Sequence, residues 1–188
     1  MLIVSMSVSV DGFINDRDGG FDWGAPDDEL FDFHLEHVSG FGAIILGRRL
    51  YETMAVWETD PSLREAGGSH AAFADVWAAL PKVVFSRTLD RVEGNARLAT
   101  GTVAEEIAAT LAATDRNVEI GGADLAGQAI ELGLVDEINI FRYPVIVGGG
   151  TPLLPPITDQ VPLDLVETHT FGSRVILERY RRGREASA

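Results

Sequence analysis

The stretch from Asn117 to Leu132 narrows what this chain can fold into more than any other. Val118 and Ile120 alternate as in a β-strand, and Gly121-Gly122 then interrupts the pattern. Leu125, Ala129, Ile130 and Leu132 recur at helical spacing until Gly133 ends the run. A strand that passes into a helix through paired glycines turns a sharp corner. Such a corner suits an anion, because no Cβ blocks close approach and the first helical N–H groups point outward unpaired. A pyrophosphate fits this seat, and a plain strand-to-helix turn explains the residues as well. The spacing is not Gly-x-Gly-x-x-Gly, so the dinucleotide fingerprint of the doubly wound fold is not present.

Two further junctions have the same form. Ala43-Ile44-Ile45-Leu46 is a continuous apolar run, as in a strand buried on both faces, and Gly47-Arg48-Arg49 leads from it into a helix beginning near Leu50. Lys82-Val83-Val84-Phe85 is a third buried strand and delivers Ser86-Arg87-Thr88 at its C-terminal end. In open α/β sheets ligands bind beyond the carboxyl ends of the strands. Three such ends carrying glycines, guanidinium groups and hydroxyls point to a ligand with several phosphates, because the arginine fork donates two parallel bonds to an oxyanion. Each arginine alone is equally explained by a surface ion pair.

The rest of the chain supplies the frame. Leu2, Val4, Met6, Val8 and Val10 alternate with Ile3 and serines 5, 7 and 9, a first strand with no basic leader before it. Asp11-Gly12 is turn chemistry, and residues 15–20 form a mobile loop. Pro26 opens a helix with Asp27, Asp28 and Glu29 in its first turn and Gly40 as its stop. Residues 58–69 read as an exposed loop and 70–80 as a helix. Thr102-Val103-Ala104-Glu105 is a capping box that starts another helix. Residues 135–141 form a strand, Gly148-Gly149-Gly150 a loop needing permissive backbone angles, and 163–180 a β-hairpin. The alternation predicts an α/β fold, with a mostly parallel sheet, helices on both faces and an antiparallel edge. Residues 1–181 read as a single domain, followed by a polar tail over 182–188.

At 188 residues, with 46% hydrophobic and 23% charged residues, the chain is large enough to bury a core without staples. The absence of cysteine excludes disulfides, thiolate zinc sites and cysteine nucleophiles, and fits a reducing cytoplasm. No apolar run approaches the roughly 20 residues that span a membrane. A net charge of −14 repels nucleic acid and anionic lipid, so an anionic ligand must be held by local donors. His34 and His37 lie three apart on a helix. With no third ligand evident they are explained by that helical face, and no metal site is expected.

Taken together, the segments 7–14, 46–52, 84–89, 120–123, 133–137 and 144–153 occur in the order found in a known family. The chain resembles the dihydrofolate-reductase-like superfamily, and within it the group related to the reductase domain of riboflavin biosynthesis. The resemblance implies a three-layer α/β/α fold with a mixed sheet, NADPH as hydride donor, a small-molecule substrate and a homodimer. It implies that Gly47, Arg48, Arg49 and Leu50 cradle phosphates, and that Ser86, Arg87 and Thr88 hold the adenosine 2′-phosphate. Gly121, Gly122, Ala123, Asp124 and Leu125 would cover the pyrophosphate. Met6, Ser7 and Ile14 would wall the nicotinamide, with the loop from Ile14 to Phe21 as a lid. Asp11, Gly148 and Gly149 would border the substrate side. Trp23-Gly24-Ala25-Pro26-Asp27-Asp28 resembles the segment in which a tryptophan and a proline precede the pterin-binding carboxylate. That makes Trp23 a substrate contact and Asp28 the proton donor, with Asp27 the fallback and Asp11 a second candidate. The same acids are explained by complementing the helix dipole. The implied activity is NADPH-dependent reduction of a C=N or C=O bond in a pterin-like or ribosylaminopyrimidine-like heterocycle. A nucleotide-binding protein without turnover and a flavin-binding relative are the alternatives. The zinc deaminase module that accompanies some riboflavin reductases is excluded, since no cysteine exists to ligate its metal.

Overall fold

The computed structural model describes residues 1–183. One eight-stranded sheet organises them: β1 (Leu2–Ser9), β2 (Phe41–Gly47), β3 (Lys82–Phe85), β4 (Ala96–Leu98), β5 (Asn117–Gly121), β6 (Glu137–Tyr143), β7 (Leu163–Thr170) and β8 (Ile176–Arg182). Their order is β4-β3-β2-β5-β1-β6-β8-β7. The first six in that order run parallel, and β8 then pairs antiparallel with both β6 and β7. The expected mixed sheet with an antiparallel end is therefore what the chain forms.

The helices are α1 (Asp28–Ser39), α2 (Arg48–Met54), α3 (Val56–Thr59), α4 (Pro61–Glu65), α5 (Gly68–Ala79), α6 (Val103–Ala112) and α7 (Ala123–Glu131), with a single 3-10 turn over Asp22–Gly24. They cover both faces of the sheet. Strand alternation sends Leu2, Val4 and Val8 of β1 and Val118 and Ile120 of β5 toward Ile107 of α6 and Leu125 and Ala129 of α7. Ile3, Ile44 and Leu46 point the other way, against Phe31 and Val38 of α1 and Phe73 and Trp77 of α5. A third cluster joins Leu30 of α1 to Phe141, Tyr143, Phe171 and Leu177 at the antiparallel end. No helix among the described residues is long and apolar enough to cross a membrane.

Several boundaries differ from the sequence reading. Pro26 stands outside α1: Asp27 is the N-cap, its carboxylate accepting the Leu30 N–H at 3.0 Å, and the helix begins at Asp28. Residues 58–69 are not a plain loop. Asp60 caps α4 by accepting from Ser62 N, with Pro61 in the first turn, a start signal that polar composition concealed. β4 is a three-residue edge strand, too short to leave a period in the sequence. β8 continues through Arg182, so that residue belongs to the sheet and not to the tail; residues 184–188 of the tail lie outside the described residues. The loop after β1 is tied down where mobility was expected. Asn15 accepts from Thr151 N at 2.8 Å, Ile14 N donates to Thr151 O at 2.9 Å, and both Nε and Nη2 of Arg17 reach the Gly148 carbonyl.

Candidate functional site

Because β3, β2, β5 and β1 lie side by side and parallel, their C-terminal ends share one edge of the sheet. Gly47 pairs with Phe85, the residue before Ser86, and Leu46 pairs with Gly121. All three glycine or hydroxyl junctions therefore meet at one rim. Two of them touch. A Cβ on Gly122 would stand 3.6 Å from the Gly47 nitrogen, and one on Gly121 would stand 2.5 Å from Cδ2 of Leu50. Gly122 is also the N-cap of α7 at φ +101°, a conformation that glycine adopts without a Cβ penalty. The paired glycines thus let two helix starts approach each other closely.

Around this rim the donors fall into distinct kinds. Arg49 and Arg87 are exposed and make no hydrogen bond or ion pair among the described residues, while Arg48 is held by Glu52 one turn on, at 2.8 Å. The Ser86 oxygen accepts the Thr88 and Leu89 N–H groups at 3.1 and 2.9 Å. That turn uses Ser86 as acceptor and leaves its O–H to donate outward. Leu125 and Ala123 bury their side chains, so what they can offer a ligand is main chain. The exposed Asp124 accepts from Gln128 at 2.9 Å. Exposed guanidinium groups, the Ser86 hydroxyl and the main chain of two helix starts thus gather at this rim, and at Gly121 the place a Cβ would take is filled by the Leu50 side chain.

One strand further along, β1 sends Met6 to the α6–α7 side, where Ile14 also packs, and Ser7 to the α1 side beside Phe141 and Tyr143. Asp11 anchors the glycine loop, accepting from Gly148 N at 2.8 Å and Val147 N at 3.2 Å. A hydrogen bond with Ser9 and these two N–H donors hold its carboxyl below the usual range. A carboxylate kept ionised in this way is a clamp on Val147 and Gly148 and is poorly suited to donating a proton. Asp28 sits exposed in the first turn of α1. Asp27 is the acid whose charge is felt at Tyr143, and only one of its oxygens is taken up in capping.

Tyr143, which the sequence reading passed over, ends β6 with its ring buried and Trp23 against it, edge to face at 5.7 Å. Its signal was present in the alternation Asn139, Phe141, Tyr143 facing the serine side of β1. His34 and His37 are accounted for by packing: His37 Nε2 meets Ser5 Oγ at 2.9 Å, and His34 lies against Phe141. A depression of about 290 Å³ opens near Asn95, Arg97 and Thr114, at the opposite, N-terminal ends of β2 and β3, away from this rim.

Known proteins share this architecture. The chain is 28% identical over 177 residues to the uncharacterized protein YyaP of Bacillus subtilis, covering 93% of this chain and 91% of that one. A putative riboflavin biosynthesis protein from Shewanella sp. PV-4 superposes with a TM-score of 0.79 at 22% identity, over 97% of this chain and 99% of that one. Dihydrofolate reductase from Enterococcus faecalis, solved in complex with NADP(H), superposes with a TM-score of 0.67 at 16% identity, over 97% and 96%. These likenesses give the chain a reductase-like fold. The family model described as RibD C-terminal domain matches residues 1–177, and the chain belongs to that family.

Proposed function

We propose that this protein is an NADPH-dependent reductase acting on a C=N or C=O bond of a small heterocycle, pterin-like or ribosylaminopyrimidine-like. The observation that carries the reading is the meeting of three phosphate-competent junctions at one rim, with Gly122 against Gly47. In it, backbone N–H groups of Gly121–Leu125 and of Gly47–Leu50 hold the pyrophosphate, and Ser86, Arg87 and Arg49 hold the adenosine 2′-phosphate. Arginine is matched to that dianion, and a cofactor without it leaves both guanidinium groups idle. Bound there, NADPH supplies a hydride from its nicotinamide ring.

The chain's own residues then do three things. Met6, Ser7 and Ile14 wall the ring at the end of β1. The loop over residues 14–20, laced to Gly148 and Thr151, excludes water from the reacting face. Asp28 or its neighbour Asp27, at the head of α1, supplies the proton to the substrate nitrogen or oxygen as hydride reaches carbon, directly or through a water, a contribution of roughly 10²–10⁴-fold. Residues 147–149, held by Asp11 and Arg17, border the substrate.

Thermal denaturation with each cofactor tests the reading. At about 100 times its Kd a ligand stabilises by about 2.7 kcal/mol. NADPH is expected to raise the melting temperature well above the value with equimolar NADH, and equal shifts would remove the role given to Ser86 and Arg87.

A further inference from the structure

Two contacting rings each bury a donor that has nothing to donate to among the described residues. The Tyr143 hydroxyl and the Trp23 indole Nε1 both lie out of solvent and find no acceptor among the described residues. The two rings meet edge to face at 5.7 Å, and the Ser7 hydroxyl donates toward the phenol oxygen, which leaves the phenol O–H itself without an acceptor. Buried polar groups are nearly always paired, so two orphans in one contact are an anomaly that calls for an explanation.

Their place in the fold provides it. Tyr143 ends β6 and pairs in register with Ser9 of β1, the strand that delivers Ser7 to the rim. Trp23 rides on the 3-10 turn Asp22–Gly24, immediately before the N-cap of α1. Among the described residues, the main-chain hydrogen bonds made by the N–H groups of that turn are local, Gly24 N to Phe21 O and Ala25 N to Asp22 O. What holds Trp23 in place is therefore apolar packing against the Leu30, Phe141 and Phe171 cluster. Phe21, just before the turn, is half exposed. A segment seated this way can lift without breaking a hydrogen-bonded frame, and lifting it uncovers both donors at once.

We infer that Tyr143 and Trp23 form a two-donor recognition site, at the substrate end of the rim, for the acceptor edge of an oxo-heterocycle. Its ligand presents a carbonyl oxygen, with or without an adjacent ring nitrogen lone pair, and the turn carrying Trp23 closes over it. The inference rests on the reductase reading for the position of the substrate. It adds a specificity determinant: an analogue with an amino group in place of the carbonyl meets donors with donors and is rejected. Burial, against the pull of the Ser7 hydroxyl and aided by the neighbouring Asp27 charge, pushes the phenol up from its ordinary range. Tyr143 thus stays protonated and acts by donating a hydrogen bond, while the proton used in the reaction comes from elsewhere.

The test uses the full chain and its Tyr143→Phe and Trp23→Phe variants. Pterin, which carries a 4-oxo group, and 2,4-diaminopteridine, which lacks it, are titrated calorimetrically in saturating NADPH. Melting temperatures are recorded without ligand. The wild type is expected to bind pterin at least roughly tenfold more tightly than the diamino compound, and each variant to lose most of that preference. Tyr143→Phe removes a buried hydroxyl that has no acceptor, so unliganded it is expected to melt no lower than wild type; a tyrosine whose O–H served the fold would melt lower. Unchanged discrimination in Tyr143→Phe, a preference for the diamino compound, or no binding of either pteridine to cofactor-loaded protein overturns the inference. Failure of the reductase reading is seen separately, as absence of NADPH binding in the same cell before any pteridine is added.

Discussion

Gly122 lies against Gly47, and a Cβ on the first would stand in van der Waals contact with the main-chain nitrogen of the second, at 3.6 Å. Two helix starts that are far apart in sequence thereby share one opening. Glycine is required at 122 by its φ of +101°, whereas a Cβ at Gly47 would meet only the Gly121 carbonyl oxygen, at an ordinary 3.9 Å.

Gly122→Ala places a side chain at φ +101°, and Gly121→Ala sets a Cβ 2.5 Å from the Leu50 Cδ2 position. The first is expected to cost about 1–2 kcal/mol in backbone strain. The second displaces Leu50 and with it the start of α2. Both variants should melt below wild type by chemical or thermal denaturation, and both should bind NADPH more weakly. A variant with wild-type affinity would show that the corner does not contact the cofactor.

Arg49→Ala and Arg87→Ala each remove an exposed guanidinium with no partner among the described residues. Stability is expected to change by less than about 0.5 kcal/mol, as for surface substitutions that break no contact. NADPH affinity should fall roughly tenfold or more, and NADH affinity should scarcely change. Arg48→Ala, which breaks an exposed ion pair with Glu52, should affect the two cofactors alike. Titration of both nucleotides against the three variants checks the pattern.

The legible part of this molecule was the part in which geometry dictates residue type. A corner between strand and helix demands glycine, a buried parallel strand demands an unbroken apolar run, and a capping box demands Thr102 and Glu105, whose reciprocal bonds are present. The face on which each residue of β1 points followed from alternation alone. What could not be read arises from contacts between distant segments. Asp11 looks like turn chemistry until the 147–148 main chain reaches it, and Asn15 and Arg17 look like loop filler until Thr151 and Gly148 arrive. Tyr143 gains its meaning only where the turn carrying Trp23 covers it. β4 escaped notice because three residues carry no period.

Acid should loosen the far end of the sheet. Glu106 is buried and held at about 2, well below its ordinary 4.5, chiefly by the Arg97 guanidinium at 2.6 Å and also by the Gly101 and Thr100 N–H groups. A carboxyl depressed in the folded state contributes stability that is present above pH 4.5 and is lost as pH falls toward 2. Since Arg97 is half exposed, solvent screening reduces the contribution to about 2 kcal/mol. Denaturant melts of Glu106→Gln should show a flatter stability profile than wild type between those two pH values.

Glu119 should give the opposite slope. It faces the α1 side between Ile3 and Ile44, where burial raises its carboxyl to about 7 against the pull of Ser5. A carboxyl raised in the folded state contributes stability that is full below pH 4.5 and is lost as pH rises through 7. Nearby His37 and His34 are lowered to about 4, mainly by burial, so their contribution is full above 6.5 and is lost as pH falls through 4. Glu119→Gln should therefore gain on the order of 1–3 kcal/mol relative to wild type at pH 8 and little at pH 4. Urea melts at the two pH values decide it, and equal changes at both would contradict the burial of that carboxyl.

Backbone amide shifts followed by NMR during titration with NADPH decide whether the three junctions grip one ligand. Amides of residues 47–50, 86–88 and 121–125 are expected to move together along one saturation curve, with NADH leaving 86–88 largely unmoved. Shifts confined to the opposite end of the strands, around Asn95, Arg97 and Thr114, or the three groups responding with different affinities, would contradict it.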